Sequence, residues 1–171
     1  MPDVPSWSSG GALELRWRQL RPLRAEFALE AGDALLATLR ASSFGGSTGV
    51  LDAGGQRLVL RASGFRVTAS DADGRPVAEL RRNWTGARGS IELPAGERVA
   101  WTRRGAWRQR VTLADQAGNR LAQLDARNGL ARFEAGVLVD PAARSRPDLR
   151  TLLGVAWFTL VLMRNQAAVA G

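Results

Sequence analysis

The stretch that decides the fold runs from residue 146 to residue 165: Arg146-Pro147-Asp148, then LRTLLGVAWFTLVLM over 149–163, then Arg164-Asn165. Asp148 suits a helix N-cap, because its side-chain oxygen can accept from an orphan amide of the first turn. No turn residues interrupt the run that follows, which predicts one helix over about 148–164 in preference to a further pair of strands. A helix that is apolar on every side must be buried on every side. Leu152, Leu153, Val155, Trp157, Phe158, Leu160 and Val161 are therefore expected core residues. The continuous apolar part, 152–163, is roughly a dozen residues long, whereas a bilayer span needs about 20, so a protein interior is its better host. Residues 149–164 would measure about 24 Å in length and 10–12 Å in width as a helix. Gly154 and Ala156 leave room on it for close approach of a neighbouring strand.

Upstream of the helix lies a loose repeat. LEAGDALLATLRA from Leu29, LDAGGQRLVLRA from Leu51, SDADGRPVAELRR from Ser70, ELPAGERVAWTRR from Glu92 and LADQAGNRLAQLDA from Leu113 each turn through a glycine and resume as alternating apolar and polar residues. The glycines are Gly32, Gly54, Gly74, Gly96 and Gly118, 22, 20, 22 and 22 residues apart. A tight hairpin loop needs a backbone angle that glycine alone adopts freely. A spacing near 22 accommodates two strands of about 6–8 residues with their connections, the size of an antiparallel meander unit. Period-two alternation agrees: Leu13, Leu15 and Trp17 interleave with Glu14, Arg16 and Arg18, and Phe27 and Leu29 with Glu26 and Glu30.

Five hairpins with flanking strands predict about 12 strands. Such a meander must hide one face and two edges, and closing into a barrel does both. Barrels of about eight strands are filled by their own side chains, so about 12 leave a hole. The expected fold is all-β with one helix: a closed antiparallel barrel enclosing the apolar segment. Residues 1–11, MPDVPSWSSGG, read as a lead-in without the charge and apolar pattern of a secretory signal. Residues 12–171 read as a single domain.

Composition narrows the chemistry. The chain has no cysteine and no histidine, which removes the usual thiol nucleophile, the usual general base near neutral pH and the commonest zinc ligands. No catalytic constellation, cofactor motif or metal site is read from it, and a non-enzymatic protein of the cytoplasm, peripheral to a membrane, is the expectation. Asp71 and Asp73 in SDADG lack the later glutamate of a calcium loop and read as turn residues. All 24 basic residues are arginine, and the formal charge is +8. A coding bias of the bacterial kind accounts for arginine in place of lysine, but the net charge still favours polyanionic partners. The densest cluster is Arg103, Arg104, Arg108 and Arg110 with Trp101 and Trp107, a hairpin turning at Gly105. Arg81 and Arg82 with Trp84 form a smaller one. Guanidinium beside indole suits a phosphate group at a membrane interface. In the competing reading Trp101 is core and the arginines are a solvated face.

A barrel of 12 antiparallel strands threaded by an apolar helix resembles the tubby C-terminal fold, shared with phospholipid scramblases and plant LURP-one-related proteins. The most specific stretch is 148–163, where Asp148, the Leu153-Gly154 step and the Ala-aromatic run are similar to the scramblase terminal segment. The resemblance implies binding of anionic lipid head groups or a membrane-associated partner through arginines on the barrel. It does not extend to calcium, since residues 149–171 contain no Asp or Glu, nor to a palmitoylated cysteine cluster. Two other functions are open: a nucleic-acid-associated protein using the same arginines, and a scaffold or oligomer subunit with no small ligand whose charge is incidental.

Overall fold

The computed structural model describes residues 11–42, 46–128 and 132–170. The expected lead-in over 1–11 lies outside these apart from Gly11. Twelve strands follow one another: β1 (Leu13–Gln19), β2 (Glu26–Ala31), β3 (Ala34–Ala41), β4 (Thr48–Ala53), β5 (Gln56–Ser63), β6 (Arg66–Ser70), β7 (Pro76–Arg82), β8 (Arg88–Glu92), β9 (Arg98–Arg104), β10 (Arg108–Ala114), β11 (Arg120–Asn128) and β12 (Phe133–Val139). Each pairs antiparallel with its sequence neighbours, and β1 pairs with β12 to close the barrel. Closure leaves no strand edge to recruit another chain. The five repeat glycines all sit in hairpin turns with positive φ, from 57° at Gly32 to 85° at Gly118. Register shifts at Leu29/Glu30, Ala69/Ser70 and Leu113/Ala114 all lie beside these turns, where a bulge bends the strands around the barrel.

The helix α1 (Leu149–Ala170) occupies the hole. From Thr151 through Leu162 every side chain is buried, and Trp157 and Phe158 are fully enclosed. Leu152, Leu153, Val155, Leu160 and Val161 join them in one core with the inward residues of the wall. Around Trp157 the wall supplies three aromatic rings. Trp17 stacks at 5.9 Å, Phe133 at 4.5 Å, and Phe27 meets it edge-on at 5.4 Å. A Cβ on Gly154 would run into the Leu51 side chain, with Cδ1 at 2.8 Å, so helix and β4 touch where glycine permits it.

Two details of the helix differ from the sequence reading. It extends beyond 164 to Ala170, because Gln166, Ala167 and Ala168 are good helix formers and no proline or glycine stops them. Its 22 residues are thus long and apolar enough to cross a membrane, yet most of them lie within the barrel. Asp148 stands at the start as expected, and its carbonyl accepts from the Leu152 amide at 2.9 Å. Its carboxylate is engaged by Arg146 instead of a helix amide (Nε 2.9 Å, Nη2 2.8 Å). The same guanidinium binds Glu97 of the β8–β9 turn at 2.9 and 3.1 Å, latching the helix entrance to the wall. Both carboxylates hold Arg146 firmly in its charged form.

Candidate functional site

A meander sends its connections alternately to the two ends of the barrel. At the end where α1 enters lie residues 32–33, 54–55, 71–75, 93–97, 115–119 and 140–148. The β1–β2, β3–β4, β5–β6, β7–β8, β9–β10 and β11–β12 connections belong to the end where α1 leaves. Charge is sorted between them. The entry end carries Asp33, Asp71, Asp73, Glu97, Asp115, Asp140 and Asp148, seven of the chain's 16 acids. None of the six exit-end connections contains an acid, nor does the helix from Met163 onward. Two of the entry-end acids cap their turns, Asp71 Oδ1 accepting from the amides of Asp73 and Arg75 at 3.0 and 2.9 Å and Asp115 Oδ1 from that of Asn119 at 2.8 Å. Glu97 and Asp148 bind Arg146, and Asp140 binds Arg120. Among the described residues no group of three or more potential ligands could hold a metal ion.

The exit end gathers arginines in two settings. Arg82 and Arg103 continue the inward-facing series Ala78, Leu80 and Val99, Trp101, so strand alternation turns them over the barrel mouth. Arg103 donates to the carbonyls of Gly86 (3.3 Å) and Thr85 (3.2 Å). A Cβ on Gly86 would lie 2.7 Å from Met163 Cε and 3.4 Å from Arg82 Nη1, so the β7–β8 loop, the helix and Arg82 converge there. Among the described residues neither guanidinium has a carboxylate partner, and the Nε of Arg82 is buried without an acceptor. Burial lowers the pKa of both, and the charge of Arg103 lowers that of Arg82 further. Two desolvated like charges beside one another are a site that an anion would relieve.

The second setting is the outer wall beside the β9–β10 turn. Arg104, Arg108, Arg110 and Arg127 line a hollow of about 360 Å³ with Gly105, Asp125 and Ala126. Arg104 faces Arg110 across one strand pair and Arg108 faces Arg127 across the next, arrangements in which like charges repel. Asp125 answers them within the hollow, binding Arg110 Nε at 2.6 Å, and Glu134 faces Arg127 across the β11–β12 pair. Burial pushes the Asp125 carboxyl up, but the bonds from Arg110 and Gln123 and the charge of Arg127 prevail and hold it below the usual carboxylate range. Arg127 escapes a sequence reading because it sits 17 positions beyond Arg110 and becomes its neighbour only through the β10–β11 register.

The two clusters expected from the sequence are therefore rearranged. Arg103 and Arg82 meet at the mouth, whereas Arg104, Arg108 and Arg110 lie outside on the wall. Arg81 points away from Arg82, as adjacent strand residues must, and is bound by Glu79 at 2.6 Å on the outer surface. Trp101 is core, with its indole N–H donating to Gly86 at 3.2 Å, while Trp107 is 88% exposed. Trp84 is 81% exposed. Of the seven large hydrophobic residues exposed among the described ones, Leu20, Leu23, Phe65, Trp84, Trp107 and Val169 lie at the exit end, and Leu35 alone at the entry end. Leu23 also holds a φ of 66°, which costs a non-glycine residue of order 1 kcal/mol.

A larger hollow of about 700 Å³ lies on the wall around β1, β11 and β12. Its rim mixes Glu14, Glu30, Asp125 and Glu134 with Arg16 and Arg127, and Arg16 is bound to Glu134. Acids outnumber arginines there, so it is no anion site.

One solved structure bears on this architecture. The X-ray structure of the Arabidopsis thaliana protein AT5G01750 aligns with 88% of this chain and 90% of its own, at a TM-score of 0.51 and 16% identity. That likeness shows the fold alone. No protein-family model and no curated protein matches the chain.

Proposed function

We propose that this chain is a non-enzymatic, tubby-like barrel module that binds the phosphate head groups of anionic lipids at a membrane surface through the arginines of its exit end. The observation that carries this reading is the sorting of charge. Every connection at that end is free of acid, while Arg82 and Arg103 at the mouth and Arg104, Arg108 and Arg127 on the adjoining wall crowd beside them, the acids among them being Asp125 and, across from Arg127, Glu134. Arginine suits the task, since its planar fork takes two phosphate oxygens at once and is weakly hydrated. An anionic leaflet attracts each such residue by about 1 kcal/mol near the surface. The five together could supply several kcal/mol, enough for reversible attachment without a covalent lipid.

The test is vesicle flotation of the intact chain. Phosphatidylcholine vesicles containing phosphatidylserine should carry the protein to the top of the gradient, and vesicles of phosphatidylcholine alone should not. Equal failure with both compositions would remove the reading. The acid-free end also fits a nucleic-acid backbone, so single- and double-stranded DNA are offered in parallel. Binding to DNA that falls steeply with salt, in the absence of vesicle binding, would favour that function instead.

A further inference from the structure

We infer that the exit end docks end-on and buries its loop tips, Phe65, Trp84 and Trp107, in the interfacial layer of an anionic phospholipid bilayer. The inference rests on the reading of the same end as a cationic surface and adds the apolar half of the contact. Phe65, Trp84 and Trp107 belong to the β5–β6, β7–β8 and β9–β10 hairpins, three successive connections around the rim. Strands about 4.8 Å apart set neighbouring hairpins roughly 10 Å apart, so the arc spans about 20 Å. Leu23, on the β1–β2 connection, stands on the opposite side of the mouth. Four tips spread around a ring resist tilting, which is why the contact is end-on.

The tips are presented on a laced support. The Arg82 amide donates to the Phe65 carbonyl at 2.9 Å and the Arg103 amide to the Ala87 carbonyl at 2.8 Å. Together with the Arg103 bonds to Thr85 and Gly86, these tie the three hairpins to each other. The indoles are thus held in water at little further ordering cost on binding, the condition under which aromatic anchors are most effective. Indole is the side chain that favours the head-group layer, and arginine below it meets the phosphates.

Two other occupants fit less well. A second copy of the chain would oppose arginine to arginine, with no acid in the exit-end connections of either copy to answer them. A folded protein partner calls for a contiguous apolar centre with a polar rim. Here the order is inverted, with separate apolar tips projecting around a mouth lined by Arg82 and Arg103. A fluid bilayer accepts isolated tips, and its anionic lipids neutralise the arginines between them. The helix beyond Arg164 adds no charge to oppose entry.

The experiment uses tryptophan quenching by phospholipids brominated on the acyl chain, in phosphatidylcholine/phosphatidylserine vesicles. Trp17, Trp101 and Trp157 are buried in the barrel and give an unquenched background. Trp7→Phe removes the remaining indole outside the described residues. In that background, bromolipid should quench the bound protein, each of W84F and W107F should remove part of the effect, and the double variant all of it. W84A and W107A should each lower the vesicle partition coefficient by roughly tenfold, as expected for losing part of an indole's burial. Protein that floats with vesicles yet is unquenched, or is still quenched as W84F/W107F, overturns end-on insertion and leaves the head-group reading standing. Protein that binds no vesicle overturns both.

Discussion

Replacing Trp157 with alanine should cost about 3–5 kcal/mol of stability, the range for truncating an enclosed aromatic. Trp157 has no exposed surface, and burying an aromatic of its size removes about 150–250 Å² from water, worth roughly 4–6 kcal/mol at 25 cal/mol per Å². The rings of Trp17, Phe27 and Phe133 at 5.9, 5.4 and 4.5 Å each add about 0.5–1.5 kcal/mol. Against this, the Trp157 indole nitrogen is buried without an acceptor, and removing it returns about 1–3 kcal/mol. The unfolded chain also hides part of its apolar surface already, which trims the burial figure. Urea unfolding followed by far-UV circular dichroism reads the result. With a slope of about 2 kcal/mol per M, the midpoint should fall by roughly 2 M. W157F, which keeps a ring against Phe133, should fall by less than half of that. A shift below about 0.5 M for the alanine variant would refute the view that the helix is the barrel's core.

Three further outcomes follow from the geometry. Gly154→Val should destabilise by about 1–3 kcal/mol, read as a lowered melting temperature, since Leu51 is fully enclosed and cannot swing away from the new carbon. Arg82→Met should leave stability unchanged or raise it by up to about 1 kcal/mol while weakening vesicle binding, because it removes a half-buried charge that Arg103 repels; a loss of stability equal to the loss of binding would refute the assignment. On acidification stability should hold to about pH 5 and fall below about pH 4. Hydrogen bonding from Arg18 keeps the folded-state pKa of Glu30 below its unfolded value, so the native state binds fewer protons and its advantage vanishes as pH drops through the folded pKa. Glu30→Gln should flatten part of that decline in a thermal-melt series.

The barrel was legible in the sequence because it is written in local signals. Gly32, Gly54, Gly74, Gly96 and Gly118 mark their turns without reference to anything distant, and the change from period two to continuous apolarity at Leu152 marks the helix. The helix exit at Ala170 was less legible, because residues 165–170 leave the core and only propensity, a weak signal, keeps them helical. The arginine grouping was least legible. Arg81 and Arg82 are adjacent in the chain and opposite in space, while Arg108 and Arg127 are far apart in the chain and face each other through the β10–β11 register. Clusters counted along a strand mix its two faces, and only pairing with the neighbouring strand sorts them.

The same repeat that builds the barrel also polarises it. One unit of about 22 residues contains two turns, and an up-and-down path puts the first at one end and the second at the other. Any bias repeated within the unit is therefore summed at one end of the structure. The glycine turn carries acid in Asp33, Asp71, Asp73, Glu97 and Asp115, of which Asp71 and Asp115 stabilise their turns by accepting backbone amides. The alternate turn carries none, and instead exposes Phe65, Trp84 and Trp107. A coding bias toward arginine would spread cations evenly over both ends, and it would not remove acids from one of them. The asymmetry lies in the acids and the aromatics, so arginine-rich composition does not explain it, and the exposed indoles beside Arg82 and Arg103 are the feature on which the proposed docking to an anionic, partly apolar partner rests.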